Sequence, residues 1–433
     1  MLHQALPGFR DFYPADLALR AHIFETWRSV ARRYGFEEYD GPPLEPLELY
    51  TAKSGDEIVG QLYNFTDKGD RAVALRPEMT PTLARMVAAR ANGLKKPIRW
   101  FSIPQLFRYE RQQRGRLREH FQLNCDLIGE PGPLGDAEII ALAIDVMRAL
   151  GLGPQDVRVR LSDRRVLRAL LTGAGVSEAQ LVEAHGVIDR LERGSQEQID
   201  QLRTDAAGRF DPGVGARILE VAGLRGWAAV ERALESAPGG PATGRPLRET
   251  VAALDAMGLA AFIDVDLTIV RGLAYYTGTV FELFDAARSL RAVCGGGRYD
   301  NLVGALGGTD LPCVGFGMGD VVLGELLKDR GLSPPGKSSI DVFIAGIEGG
   351  DLPDILRLTH QLRDAGLRVE FALAPQAVGR QLRLADSRGA RFAVLVGADE
   401  RSRGEVMLKD LGTKTQQPVP LEGLAARLAA AVP

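Results

Sequence analysis

The sequence predicts an α+β fold, in which an antiparallel sheet flanked by helices is followed by a smaller α/β domain. Three observations support this prediction. Strand-like runs separated by tight turns occur on both sides of a long helical stretch in the first 330 residues. A Pro, Gly and Ser-rich segment then interrupts the chain at 331–339, as is typical of a linker. Beyond it, strands and helices alternate to the end of the chain.

The first element is an amphipathic helix from about Asp16 to Tyr34, ended by Gly35. Its apolar residues recur at helical spacing, as Ile23, Phe24, Trp27, Val30, Ala31 and Tyr34. A strand and a proline-marked turn follow at 36–43, because the residue before each proline is pushed out of helical geometry. Two apolar runs, 100–103 and 121–128, bracket the polar segment 108–120 and predict a hairpin with a charged loop.

Residues 162–261 are mostly helical in pattern and predict a helical insertion in the first domain. Strands resume at 262–266, 279–284 and 292–295, and a helix-like run ends near Leu327, so the first domain is assigned to 1–330. The second domain, 340–433, is predicted from strands at 340–345, 367–373, 391–396 and 406–411 and from helices at 352–365, 376–387 and 421–430.

Composition narrows the class of protein. The chain has 433 residues, 45% hydrophobic residues and a formal net charge of −3, which argues against coating nucleic acid by bulk electrostatics. No stretch approaches the roughly 20 apolar residues needed to span a bilayer, and the N-terminus lacks signal-peptide character, so we expect a cytoplasmic protein without membrane contact. The three cysteines and five histidines are scattered, so no metal site built from His or Cys is expected.

The charged hairpin loop carries five arginines between Arg108 and Arg118. Guanidinium groups stay charged and match phosphate oxygens bidentately. Charge alone leaves two interpretations open, a solvated surface loop and a contact with phosphate or RNA.

The order of the motifs resembles that of the class II histidyl-tRNA synthetase family. The string from Phe107 to Gln122 is similar to motif 2 of class II synthetases, and Asp40–Pro46 to motif 1, the family's dimer interface. The resemblance implies that Arg108 binds the α-phosphate of ATP. It also implies that the loop arginines Arg111, Arg114 and Arg116 contact the acceptor end of the tRNA.

Further peptides fit the histidine-specific pattern of that family. Leu75–Thr80 resembles the loop that holds the α-amino group, and Val270–Gly278 a histidyl-specific peptide in which Arg271 reaches the reacting phosphate. Cys294–Asp300 is similar to the second such peptide, and Gly315–Gly319, which includes Gly317 at the ATP site, to motif 3. The implied histidine-binding residues are Glu78, Met79, Thr80, Gln122, Asp126, Tyr275 and Tyr276. For Tyr275 and Tyr276, core packing is the alternative.

The resemblance implies a homodimeric ligase that activates L-histidine with ATP and Mg²⁺ and transfers it to tRNA(His). In-line attack on the α-phosphorus mainly requires positioning and charge neutralisation, here by the two catalytic arginines Arg108 and Arg271. The second domain resembles the family's anticodon-binding domain.

The sequence departs from the family pattern in motif 3, where Val322 stands in place of an arginine that packs on adenine and touches the γ-phosphate. Met79, Ala274 and Asp126 replace glycine, aspartate and glutamate. A catalytically silent relative, such as the regulatory subunit of ATP phosphoribosyltransferase, is therefore an alternative, and a noncatalytic tRNA-binding protein is a third. For an active enzyme, Arg76 or Arg116 is the candidate replacement for the missing cation.

Overall fold

The computed structural model describes residues 4–54, 56–109, 115–193, 210, 212–270, 276–334, 340–347 and 352–432. Its chain divides into two compact units, Met1–Ser333 and Pro334–Pro433. The division lies in the Pro, Gly and Ser-rich segment that the sequence marks as a linker.

A large sheet forms the centre of the first unit. Its strands lie in the order β1-β5-β7-β12-β11-β10-β8-β9, and β6 pairs with β7. Neighbours are antiparallel except at the two edges, where β1 pairs with β5 and β8 with β9 in parallel. The strands are β1 Glu37–Glu38, β5 Ile98–Ser102, β6 Gln105–Phe107, β7 Glu119–Ile128, β8 Val157–Asp163, β9 Ile263–Val265, β10 Thr279–Asp285, β11 Cys294–Arg298 and β12 Cys313–Gly319. The antiparallel sheet predicted from the sequence is confirmed.

Helices cover one face of this sheet. α4 is apolar almost all round, so it is buried between α1 and α10 on one side and strands β7, β11 and β12 on the other. The helices of the first unit are α1 Pro14–Arg33, α2 Glu48–Ser54, α3 Thr80–Arg90, α4 Pro133–Ala149, α5 Arg164–Gly173, α6 Leu181–Arg193, α7 Pro212–Gly223, α8 Trp227–Leu234, α9 Gly240–Thr243, α10 Arg245–Ala256, α11 Leu302–Ala305 and α12 Asp320–Asp329.

The predicted helical insertion corresponds to the described helices α5 to α10. Its helices are strongly amphipathic, and their apolar residues continue the core under the sheet, for example Leu171, Ile188 and Ile218. Asp163, the last residue of β8, starts the insertion by accepting hydrogen bonds from the backbone N–H groups of Arg165 and Val166.

A small three-stranded sheet lies beside the large one. Its strands are β2 Leu44–Pro46, β3 Asn64–Thr66 and β4 Ala72–Leu75, in the order β2-β4-β3. β4 leads directly into the turn before α3, which is the segment that resembles the amino-group loop.

The second unit is an α/β sandwich with helices on both faces. Its sheet has the order β14-β13-β15-β16-β17, parallel across β14, β13 and β15 and antiparallel beyond. Two apolar clusters, one on each face, contain Leu358 and Leu428 on one side and Ala385 on the other. The elements are β13 Val342–Gly346, α13 Leu352–Asp364, β14 Val369–Phe371, α14 Val378–Ser387, β15 Phe392–Val396, α15 Ala398–Ser402, β16 Glu405–Asp410, β17 Gln416–Pro420 and α16 Leu424–Ala431.

Within the described part of the chain, none of the helices combines the length and the apolar character needed to cross a membrane.

Candidate active site

The candidate site lies on the face of the large sheet opposite α4. Side chains alternate along β7, so that Leu123, Cys125 and Leu127 enter the core under α4. Gln122, Asn124 and Asp126 therefore share the other face. The register pairs these three residues with Gly319, Gly317 and Gly315 of β12, so polar side chains face a row of glycines.

These glycines leave the space that the polar side chains occupy. A Cβ on Gly315 would lie 2.1 Å from Oδ1 of Asp126, and one on Gly317 would lie 2.6 Å from Cδ of Gln122. Both distances are far inside van der Waals contact, so no other residue type fits without moving Asp126 or Gln122. The glycine string that resembles motif 3 therefore has a physical role in positioning the two predicted histidine-binding residues.

Asp126 is fully buried and accepts a hydrogen bond from the hydroxyl of Tyr299. Burial raises the pKa of the Asp126 carboxyl to about 7, while the hydrogen bond from Tyr299 works in the opposite direction. The carboxyl is thus poised to titrate near neutral pH. A buried acceptor of this kind can receive an N–H group from a ligand in the site.

Tyr276 lies on the same face of the sheet, over Gly297, which pairs with Gly315. Its ring packs against β11, where a Cβ on Gly297 would lie 2.9 Å from the ring carbon Cδ1. Its carbonyl accepts a hydrogen bond of 3.1 Å from Nη1 of Arg164, and the residue is 8% exposed. Tyr276 and Tyr299 belong to one apolar cluster with Val280 and Ile128, so Tyr276 takes part in core packing. Arg271 and Tyr275 lie outside the described residues.

Glu78, Met79 and Thr80 lie between β4 and α3. Glu78 and Thr80 are partly exposed, whereas Met79 is buried with its methyl group against Gly41. Any contact of Met79 with a small ligand would therefore have to come from its main chain.

Arg76 holds this loop in place. Its Nε donates to the carbonyl of Gln105 at 3.0 Å, and its Nη1 donates to the Asp40 carboxylate at 2.8 Å and to the carbonyl of Gly41 at 2.7 Å. The residue is only 4% exposed. Arg76 does not fit the role of a phosphate-binding cation that the sequence suggested, because its donors join Asp40 and Gly41, in the peptide that resembles motif 1, to Gln105 of β6.

Arg108 follows β6 and stands at the start of the arginine-rich loop. Its Nε donates to the carbonyl of Pro77 at 3.0 Å, which joins the strand of motif 2 to the loop that contains Glu78. Its backbone N–H donates to the carbonyl of Arg118 across the hairpin at 2.9 Å. Arg111 and Arg114 lie outside the described residues. Arg116 is half-buried where the loop rejoins β7.

A buried ion network closes the end of the site at β12. Nη1 of Arg10 contacts Oδ2 of Asp320 at 3.0 Å, and its Nε contacts Oε1 of Glu119 at 2.6 Å. The other oxygen of Asp320 accepts the backbone N–H of Phe121 at 2.9 Å. Burial raises the pKa of Asp320, against the influence of Arg10. Val322, one turn into α12, is buried and offers no charge at this edge.

The structure adds residues that the sequence did not single out. Tyr299 lies within the quoted peptide Cys294–Asp300, but only the pairing of β11 with β12 brings its hydroxyl to Asp126. Asn124 could have been found from the alternation along β7, since it stands between Gln122 and Asp126. Arg10 carried no sequence signal, because its partners are more than 100 residues away.

Comparison with known proteins shows the family of this chain. A family model described as "Histidyl-tRNA synthetase" matches residues 8–319, and one described as "Anticodon binding domain" matches residues 341–431. A histidine--tRNA ligase of Opitutus terrae is 47% identical, covering 98% of this chain and 97% of its own. The histidine--tRNA ligase of Thermoplasma volcanium is 37% identical, covering 97% of each chain.

Solved structures match as well. The crystal structure of a histidyl-tRNA synthetase from Nostoc sp. superposes with a TM-score of 0.84 at 26% identity and covers 100% of both chains. An ATP phosphoribosyltransferase regulatory subunit/histidyl-tRNA synthetase from Bacillus halodurans has a TM-score of 0.76 at 22% identity, covering 92% of this chain and 99% of its own, and shares the fold alone. By the extent of the family match and by identity over nearly its full length, the chain belongs to the histidyl-tRNA synthetase family.

Proposed function

We propose that this protein is a histidine--tRNA ligase. In the first step, a carboxylate oxygen of histidine attacks the α-phosphorus of ATP, so that histidyl-adenylate forms and pyrophosphate leaves. In the second step, the terminal ribose hydroxyl of tRNA(His) attacks the adenylate carbonyl, which forms the ester, and AMP leaves with the electron pair of the broken bond. The observation that carries the proposal is the buried Asp126–Tyr299 pair on a glycine-lined face of the sheet.

Recognition of histidine is assigned to the polar side chains of β7 on this face of the sheet. The Asp126 carboxyl, held by Tyr299, accepts an imidazole N–H, and Gln122 lies four residues away on the same face of β7. A site built to hydrogen-bond an imidazole rejects other side chains, because its own buried groups would remain unpaired. Glu78 supplies the countercharge for the α-amino group, with Met79 and Thr80 forming the loop. Tyr275 and Tyr276 close on the ring.

The activation step is assigned to two arginines. Arg108 and Arg271 neutralise the charge that develops on the α-phosphate, which is the main requirement of an in-line displacement. Gly317 is assigned to the ATP site, where the space left by its missing side chain is occupied by Gln122 in this structure. The adenylate phosphate accepts the proton of the attacking tRNA hydroxyl, and no protein nucleophile takes part.

Mg²⁺ enters this scheme as part of the MgATP substrate. Among the described residues, no group of three or more His, Cys, Asp or Glu side chains is arranged to hold a metal ion. The buried carboxylates at this end of the site, Glu119 and Asp320, are both paired with Arg10. The phosphate oxygens and water would therefore supply most of the ligands, as Mg²⁺ prefers in nucleotide sites.

The tRNA contacts are assigned to both units. Arg111, Arg114 and Arg116 of the motif 2 loop contact the acceptor end, and the second unit binds the anticodon, as the matching domain description suggests. We also propose a cytoplasmic homodimer formed through the motif 1 segment Asp40–Pro46. Sedimentation equilibrium tests the dimer, and a monomeric mass at working concentrations would contradict it.

The function is tested by histidine-dependent exchange of pyrophosphate into ATP. We expect exchange with histidine only, and its loss in Arg108→Ala and Arg271→Ala. The control is Arg28→Ala, which removes an arginine whose ion pair with Glu38 lies on the exposed side of α1. A folded protein that shows no exchange would favour the regulatory-subunit alternative, and tRNA binding without exchange would favour a noncatalytic tRNA-binding protein.

A further inference from the structure

Position 322, near the start of α12, carries a valine in place of the arginine of the family pattern. Val322 is apolar and buried there, Arg76 is engaged within the protein, and Arg10 is paired with two buried carboxylates. The polyphosphate of ATP carries several negative charges, and unneutralised charge in a partly enclosed site weakens binding. Another positively charged side chain near Val322 would offset this charge.

Arg291 lies in the turn between β10 and β11, which is anchored at both ends. Asp285, buried at the end of β10, accepts the backbone N–H groups of Ser289 and Leu290, each at 3.0 Å. On the other side of Arg291, the carbonyl of Val293 accepts the backbone N–H of Gly319 at 3.2 Å. The turn is therefore fixed against the end of β12, where α12 begins.

The side chain of Arg291 reaches the same spot as Val322. A Cβ on Gly115, in the motif 2 loop, would lie 3.2 Å from Cγ2 of Val322 and 3.9 Å from Cδ of Arg291. The aliphatic part of Arg291 thus lies against the loop and beside the valine. The residue as a whole is exposed.

We propose that Arg291 binds the β- and γ-phosphates of ATP, as the cation that position 322 does not provide. A guanidinium group stays charged at any working pH and binds phosphate oxygens bidentately. In this arrangement the positive charge comes from the turn between β10 and β11 and not from α12. It lies at the same end of the site. This inference rests on the proposed function, because it assumes that ATP binds on this face of the sheet.

The test compares Arg291→Ala with Arg288→Asn on the same turn. Arg288 is also exposed but has a φ of 52°, and asparagine keeps that left-handed conformation while removing the same charge. Pyrophosphate exchange yields the KM for ATP and for histidine. Titration calorimetry with ATP and with AMP measures nucleotide binding without the reaction.

We expect Arg291→Ala to raise the KM and the Kd for ATP by about tenfold to a hundredfold, the effect of losing a hydrogen bond between charged groups. The KM for histidine, the Kd for AMP and all constants of Arg288→Asn should stay within about twofold of wild type, as for surface substitutions away from a ligand. Arg291→Lys should recover part of the loss, since it keeps the charge without the bidentate geometry.

Two results would overturn the inference. Unchanged ATP affinity in Arg291→Ala would remove Arg291 from the nucleotide site, and an equal loss of AMP affinity would place its contact on the nucleoside instead of the β- and γ-phosphates. The proposed function fails separately, if the wild-type protein shows no histidine-dependent exchange. In that case, calorimetric measurement of ATP binding still decides the role of Arg291. Wild-type protein that binds no ATP would overturn both the proposed function and the role of Arg291.

Discussion

Tyr299 directly follows β11, and its hydroxyl donates a hydrogen bond to the buried carboxyl of Asp126 on β7. The two residues are 173 positions apart in sequence and meet because both β7 and β11 pair with β12. The pair sets the orientation and the charge of the group that we assign to imidazole recognition. Substitutions at this pair therefore test that assignment directly.

Tyr299→Phe should move the pH dependence of histidine use. The hydrogen bond from Tyr299 lowers the pKa of Asp126 against the effect of burial, so its loss should raise that pKa further above about 7. Because the ionised carboxylate accepts the imidazole N–H, the acidic limb of kcat/KM for histidine should shift to higher pH. Steady-state exchange assays across neutral pH measure this shift.

Tyr34→Phe is the matched control for that measurement. Tyr34 donates to Asp145 at 2.7 Å, so it also pairs with an aspartate, but at the end of α1 and away from the site. Its pH profile should overlay that of wild type. An identical profile in Tyr299→Phe would show that Asp126 does not govern histidine use.

Asp126→Asn should stabilise the fold at alkaline pH. In the folded state the pKa of Asp126 is about 7, above the ordinary aspartate value. Between these two pH values the folded state therefore binds more protons than the unfolded state, and the stability of the wild-type protein falls as pH rises. Asparagine has no charge to bury and can still accept from Tyr299. We expect a gain of about 2 to 4 kcal/mol near pH 8 that shrinks towards pH 5, measured by urea unfolding. A pH-independent difference would contradict this account.

Gly315→Ala should destabilise the protein and weaken histidine binding. The added methyl group would lie 2.1 Å from Oδ1 of Asp126 and 2.7 Å from the carbonyl of Cys125. Overpacking of this kind costs about 1 to 3 kcal/mol. Gly319→Ala on the same strand is the control for stability, because a Cβ there meets nothing within 4 Å. Thermal unfolding of both variants and the KM of Gly315→Ala for histidine check the prediction.

Arg10→Ala should destabilise the first unit strongly. The substitution leaves Glu119 and Asp320 buried, each with a side chain no more than 4% exposed, without their shared cation. Breaking a buried pair costs about 3 to 5 kcal/mol, whereas Arg28→Ala at the surface pair with Glu38 should cost under about 1 kcal/mol. The loss should be smaller at acid pH, since burial raises the pKa of Asp320 and protonation removes the unpaired charge. Urea unfolding of both variants at two pH values makes the comparison.

Much of the fold was accessible from periodicity. The helix predicted from about Asp16 to Tyr34 is observed as Pro14–Arg33, and the strand predicted at 391–396 as Phe392–Val396. Such elements can be recognised locally, because a helical repeat of apolar residues, or a short continuous apolar run, lies within one stretch of sequence. The small sheet of β2, β3 and β4 was not predicted, since its strands have only three or four residues each.

Sequence alone determined the identity of the polar residues on β7 and the glycines opposite them, and the order of motifs that places the chain in its family. The tertiary structure decided which of them meet. Tyr299 reaches Asp126, Arg10 joins two buried carboxylates, and Arg291 reaches the edge beside Val322 only through the pairing of strands distant in the chain. Local patterns record which face a residue occupies, but they carry no information about which strand becomes its neighbour, because register depends on packing across the whole sheet.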